Sequence, residues 1–243
     1  MRNVKGHRRN EGLEIIFEDD WLIVVNKPSG LLTMSTDRKG DITAYSMLQD
    51  YYTEGRIFIV HRLDRDTSGL IVFAKDEQTK RALQDNWEDA VQERRYYAVL
   101  EGHIEDSEGW IESWTYEHPK SLKVHCYPLR EDDDRNRPPR KDWKYTSSHC
   151  RTLKHIEKDG QKYTCVEFNL ETGRKNQIRV HSQWIGHPVA GDRKYGASTN
   201  PIGRLALHAH TLKFIHPWTG KTMSFTAPQP KSFGKLKERP VLK

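Results

Sequence analysis

No apolar run in this chain of 243 residues approaches the ~20 residues that a membrane-crossing helix needs. The basic amino end, Met1 to Arg9, has no apolar segment behind it, which argues against a secretory signal. Cysteine is scarce. Cys126, Cys150 and Cys165 are odd in number and lack CxxC spacing, which excludes a disulfide frame and a zinc ribbon. Three reduced thiols fit a cytoplasmic protein. A glycine-rich phosphate loop is missing, and so is any cluster of metal-ligating residues. Histidines are many but scattered. His208 and His210 fall on one face of a strand-like run with no third ligand near in sequence, so no metal and no organic cofactor are expected. No internal repeat is present.

What the chain has is charge. Charged residues make up 30% and the formal net charge is +6, with a pI near 9.1. That balance leans toward a polyanionic partner such as RNA. Hydrophobic residues, at 35%, suffice for a folded core.

Elements follow from the patterning. Residues 1–11 read as a basic flexible arm, 12–230 as one folded domain, and 231–243 as a basic tail. Strands are expected at Leu13 to Phe17 and Trp21 to Val25, and a helix over Ile42 to Tyr52. A second helix runs from Glu77 to Asn86, capped by Asp76 or Thr79. Arg94 to Leu100 reads as a strand. The region from Glu105 to Lys144 reads as irregular, with a mobile charged loop over 131–140. Further strands are expected at Tyr145 to His155, Lys162 to Leu170, Leu205 to Ile215 and Thr222 to Thr226, with a helix over Asn176 to Ile185. Strands outnumber helices without strict alternation. The pattern predicts an α+β fold with a mixed, mostly antiparallel sheet flanked by helices and loops. Trp184 and Trp218 are expected in the core.

Two segments concentrate chemistry. His61-Arg62-Leu63-Asp64-Arg65-Asp66-Thr67-Ser68-Gly69 joins two apolar runs and presents a carboxylate among guanidiniums, available as nucleophile or base. Glu171 to His181 brings Arg174, Lys175, Arg179 and His181 within two turns of a Thr-Gly helix start. Helix-start amides and cations together suggest an anion cradle. A solvated basic face explains that spacing as well. Gly186 to Asp192 and Tyr195-Gly196 follow.

Together these segments resemble the RluA family of pseudouridine synthases, from about Leu13 to Pro228. His61 to Asp64 with Thr67-Ser68-Gly69 is similar to the family's nucleophile motif. Lys27-Pro28-Ser29-Gly30-Leu31 resembles its first motif, and Arg94 to Gly102 its tyrosine motif, with Arg94 where lysine is common. Thr172-Gly173-Arg174 through His181 resembles its third motif. Lys175-Asn176 replaces the usual Thr-His pair, which suggests altered RNA contacts. The resemblance implies a catalytic domain with its cleft across the sheet, acting as a cytoplasmic monomer on RNA without a cofactor. It implies conversion of uridine to pseudouridine, ribosomal RNA being favoured over transfer RNA. Asp64 is then the essential carboxylate, Arg179 its partner, and Tyr96 the active-site tyrosine. Arg62 fills the gap left by the flipped base, and His61, Thr67, Lys27, Arg174 and Lys175 bind substrate. Lys27 reads equally as a surface lysine. Many relatives carry an amino-terminal S4-type domain, for which the roughly dozen residues before the first strand leave no room. Two other classes stand beside this one: an RNA-binding module without catalysis, and a hydrolase using Asp64 and Asp66 as a carboxylate pair on one strand face.

Overall fold

The computed structural model describes residues 9–10, 13–35 and 41–236. The chain divides into two compact units, Met1–Arg94 with His208–Pro228 and Arg95–Leu207 with Gln229–Lys243. The stretch expected as one domain runs through both.

The first unit contains β1 (Arg9–Asn10), β2 (Leu13–Glu18), β3 (Leu22–Lys27), α1 (Ala44–Tyr51), β4 (Phe58–Ile59), β5 (Ser68–Ala74), α2 (Glu77–Asp85) and α3 (Trp87–Ala90). Arg9 and Asn10, expected in the flexible arm, pair as β1 with Glu14 and Leu13. Residues 1–8 lie outside the described residues. All seven residues of β5 are buried, the mark of a strand covered on both faces. Its neighbours are β3 and β4, both antiparallel. It also runs parallel to the start of β11, which spans Leu207–Ile215, where Ser68 meets His208 and Gly69 meets Ala209. Gly69 has φ +118°, and a Cβ there would lie 2.1 Å from the Ala209 carbonyl oxygen, so only glycine fits this crossing. β12 (Thr222–Thr226) extends β11 on its other part. Leu22, Val24, Leu70, Val72, Leu83 and Phe214 form this unit's core. Helix α1 starts where Thr43 and Ser46 make a reciprocal capping box. Helix α2 starts at Asp76, whose Oδ1 accepts from the Thr79 amide at 2.7 Å.

The second unit holds most of β6 (Val91–Glu101), with β7 (Glu108–Glu117), β8 (Val124–Pro128), β9 (Lys144–Lys158), β10 (Gln161–Leu170) and α4 (Gln177–Trp184). The strands run in the order β6-β10-β9-β7-β8, all antiparallel. Asp159 and Gly160, with φ of 53° and 73°, make the tight β9–β10 turn. Ala98, Leu100, Val166, Phe168, Ile178 and Leu205 belong to one core cluster. The mixed, mostly antiparallel α+β architecture is the one expected.

Several local expectations need correction. The region read as irregular contains β7 and β8. The charged loop after β8 is tied down: Trp114 Nε1 donates to Asp133 at 2.7 Å, and Trp143 stacks on Tyr127 at 4.2 Å. Trp184 and Trp218 are not core; they are 47% and 48% exposed, while Trp114 is buried. Lys231–Leu236, expected in the tail, is a 3-10 helix that buries Phe233 and Leu236 in the second unit's core. The cysteines are free thiols, as expected. Burial pushes the Cys126 thiol up to about 11.

Candidate active site

In the first unit, the segment 61–67 is a loop ending in a turn rather than a strand. The strand-face argument for an Asp64–Asp66 hydrolase pair therefore fails. Asp64 is partly buried, Leu63 is buried, and Arg62, Arg65 and Asp66 are exposed. The loop is held mainly by its backbone. Thr33 Oγ1 donates to the Leu63 carbonyl at 2.9 Å and accepts from the Leu63 amide at 3.2 Å. Ser29 Oγ donates to the Asp66 carbonyl at 2.7 Å. The Gly30 amide donates to the Arg65 carbonyl at 2.9 Å, and Arg65 Nε returns a bond to the Gly30 carbonyl at 3.1 Å. The Thr67 amide closes the turn on the Asp64 carbonyl at 3.2 Å.

Lys27 completes this clamp and corrects its reading as a surface residue. It is 0% exposed. Its Nζ donates to the carbonyls of Pro28, Leu31 and Arg65 at 3.0, 2.7 and 3.1 Å. A buried ammonium is tolerable only with such partners. The motif Lys27 to Thr33 thus grips the loop that presents Asp64. Sequence spacing gave no sign of it, because the contacts join residues thirty or more positions apart.

His61 faces the protein. Its Nε2 accepts from the Val72 amide at 3.1 Å and its ring lies 4.8 Å from that of Trp87. Burial and then the Arg94 charge push its pKa down to about 3. The ring is neutral and offers no cation to a phosphate. Thr67 and Ser68 are buried, and Ser68 Oγ bonds His208 Nδ1 at 2.8 Å.

In the second unit, Tyr96 stands opposite Phe168 on β10 and packs against the core cluster that includes Ile178 of α4. Helix α4 lies against the face that carries Ser113, Thr146 and Ser148. His181 of α4 bonds all three, through Nε2 at 3.2 and 3.0 Å and Nδ1 at 3.0 Å. Gln177 Nε2 adds bonds to Ser147 O and Ser148 Oγ, both at 2.9 Å. Burial pushes the His181 pKa down to about 4.

The four residues expected to form a cradle have separate surroundings. His181 is neutral and fully buried. Lys175 pairs with Glu117. Arg174 is exposed, and its amide is taken by Gln177 Oε1 at 3.0 Å. Arg179 binds the carboxylate of Asp192, a residue that the sequence places in a motif without assigning it a role. Asn176, expected to alter RNA contacts, is only 7% exposed and points into the protein.

Among the described residues no helix is long and apolar enough to cross a membrane.

A family model described as RNA pseudouridylate synthase matches residues 21–184. The chain is 37% identical over 212 residues to the dual-specificity RNA pseudouridine synthase RluA of Vibrio parahaemolyticus, covering 84% of this chain and 78% of that one. It is 35% identical over 235 residues to the ribosomal large subunit pseudouridine synthase D of Neisseria meningitidis, covering 90% and 58%. Among solved structures, it is similar to human RNA pseudouridylate synthase domain containing 1, with a TM-score of 0.71, 25% identity, and coverage of 92% of this chain and 86% of that one.

Proposed function

The chain belongs to the RNA pseudouridylate synthase family, and from that premise we propose how it isomerises uridine and on which RNA. It is an RNA pseudouridine synthase, an isomerase, which sets aside a non-catalytic module and a hydrolase. The reaction breaks the N1–C1′ bond, rotates the base and forms C5–C1′, releasing the C5 proton while N1 takes up a proton. None of these steps is redox or phosphoryl transfer, so the chemistry needs no cofactor.

Asp64 is the essential carboxylate in this reading. The observation that carries it is the clamp from Lys27, Ser29, Gly30 and Thr33, which fixes the backbone on both sides of Asp64. A reacting group needs that placement, because about 1 Å of drift can cost 100-fold in rate. The uridine must leave its stack, at a cost of a few kcal/mol. Tyr96 stacks on the flipped base, worth roughly 1–3 kcal/mol, and its hydroxyl serves proton transfer at C5. Exposed Arg62 is planar and fills the vacated stack. Arg179 partners Asp64, and Arg174, Lys175 and Thr67 contact the RNA or the loop beside it. The enzyme acts as a cytoplasmic monomer, on ribosomal RNA more than transfer RNA. The Neisseria relative's name points the same way.

RNA labelled with tritium at uridine C5 tests the reading, since tritium leaves only when C5 becomes bonded to C1′. Wild-type protein should release it from ribosomal transcripts. Asp64→Asn should release none above background while its melting curve and RNA affinity stay unchanged, because the isosteric amide is neither nucleophile nor base. Residual turnover by the variant removes Asp64 from the central role. Release from transfer RNA alone overturns the choice of target.

A further inference from the structure

We infer that Asp192 and Asn176 are positioning residues that act on the reaction through Arg179. The inference rests on the role proposed for Arg179 above and lies within the second unit. Arg179 Nε and Nη2 donate to the two oxygens of Asp192 at 2.6 and 2.8 Å, a side-on bidentate pair. The side chains are 12% and 1% exposed, so solvent screens the pair little. Arg179 Nη1 donates to Asn176 Oδ1 at 3.1 Å. The guanidinium also lies 5.0 Å from the Tyr195 ring centre. One plane of the fork is therefore set by a carboxylate, an amide and an aromatic face.

The partners are themselves fixed. Asn176 has φ 54° at the start of α4, a left-handed conformation that asparagine tolerates better than most residues. Its Nδ2 donates to the Tyr195 hydroxyl at 3.0 Å, and the same hydroxyl accepts from the Val124 amide at 3.1 Å. The Asp192 carbonyl accepts the amides of Tyr195 and Ala197 at 3.0 and 3.1 Å. Gly191, with φ +83°, lets the chain pass the Arg204 carbonyl, which a Cβ would meet at 2.4 Å. The Gly191-Asp192…Tyr195-Gly196 motif thus has a use: it builds a socket for Arg179.

With Asp192 on the Nε side and Asn176 at Nη1, the socket fixes the orientation of the guanidinium. Lysine cannot be held this way, having no planar fork. The Asn176 substitution in the third motif is then a change in how the arginine is braced, not in what touches RNA.

The test is a double-mutant cycle read by single-turnover tritium release at saturating enzyme, with RNA affinity measured separately. Asp192→Asn keeps shape and one acceptor but loses the charge. It should slow release by about 100-fold, the scale of a misplaced catalytic group, with RNA Kd within 2-fold of wild type (about the error of such a measurement). In an Arg179→Lys background the same substitution should add less than about 3-fold, since the group it orients is gone. Asn176→Ala removes the Nη1 acceptor together with the bond to the Tyr195 hydroxyl and should cost about 10-fold, again only while Arg179 is present. This variant decides the matter if Asp192→Asn does not fold. Equal rates in a folded Asp192→Asn, or losses that multiply fully in the Arg179→Lys background, overturn the inference. Failure of the wild-type protein to release tritium from any RNA instead overturns the reading on which it rests.

Discussion

At the scale of single residues, Lys27 shows what a motif letter can hide. A lysine before a proline looks like surface, yet this one is wholly buried and bonds three main-chain carbonyls. Replacing it by methionine keeps the stem and removes the ammonium. Two effects compete. Loss of a buried charge relieves desolvation, while each carbonyl left without a donor costs about 1–3 kcal/mol. Three carbonyls outweigh one charge, so Lys27→Met should lower unfolding stability by about 2 kcal/mol. Single-turnover rate should fall further than stability alone explains, because the Arg65 carbonyl sits one residue beyond Asp64. Urea unfolding and tritium release on the same preparation check both; a destabilised variant with the parental rate would mean the lysine shapes the fold and not the reacting loop. Asp64, Tyr96 and Arg179 drew attention because they stand in ordered motifs. Asp192 did not, because its meaning lies in a contact with Arg179 thirteen residues away.

At the scale of elements, strands and helices were read well where apolar periodicity and caps agreed. Asp76 capping α2 is an example. Strand β7 was missed for a physical reason. Its residues facing α4 include Ser113, which bonds His181, while Trp110 and Trp114 stand on the other face. Buried Ser113 on one face and exposed Trp110 on the other invert the signal that strand recognition uses. The same inversion has a consequence for pH. His181 is neutral in the fold, with its pKa near 4 from burial, against about 6.5 in an unfolded chain. Between those values the unfolded chain binds a proton that the folded chain refuses. The contribution is full above pH 6.5 and is lost as pH falls toward 4, by about 1.4 kcal/mol per pH unit. Urea titrations of wild type and His181→Asn at about pH 7, 6 and 5 should show a shallower fall for the variant. His61 titrates in both proteins, so the difference isolates α4's anchor. Parallel pH profiles would show that His181 is not held neutral.

At the scale of the molecule, the net charge of +6 gives the encounter with RNA its salt dependence. Lysine and arginine contacts to phosphates release counterions, so log K should fall linearly with log salt, with a slope of about −0.7 to −0.9 per phosphate neutralised. The exposed cations include Arg62, Arg65 and Arg174, spread over both units. Residues 1–8 add Arg2, Lys5 and Arg8 in a stretch without apolar residues beyond Met1 and Val4. Removal of 1–8 spares β1, whose pairing with β2 a cut at residue 11 would destroy. The truncated protein should bind RNA with a shallower salt slope and still modify the same uridine. Phosphate contacts position a protein without reading sequence, whereas selection falls to the residues that surround the extruded base. Fluorescence anisotropy from about 50 to 200 mM salt, with pseudouridine mapping on both proteins at saturating enzyme, measures the two effects separately. An unchanged slope would put the phosphate contacts elsewhere on the molecule, and a moved or lost modification would make the amino-terminal segment part of target choice.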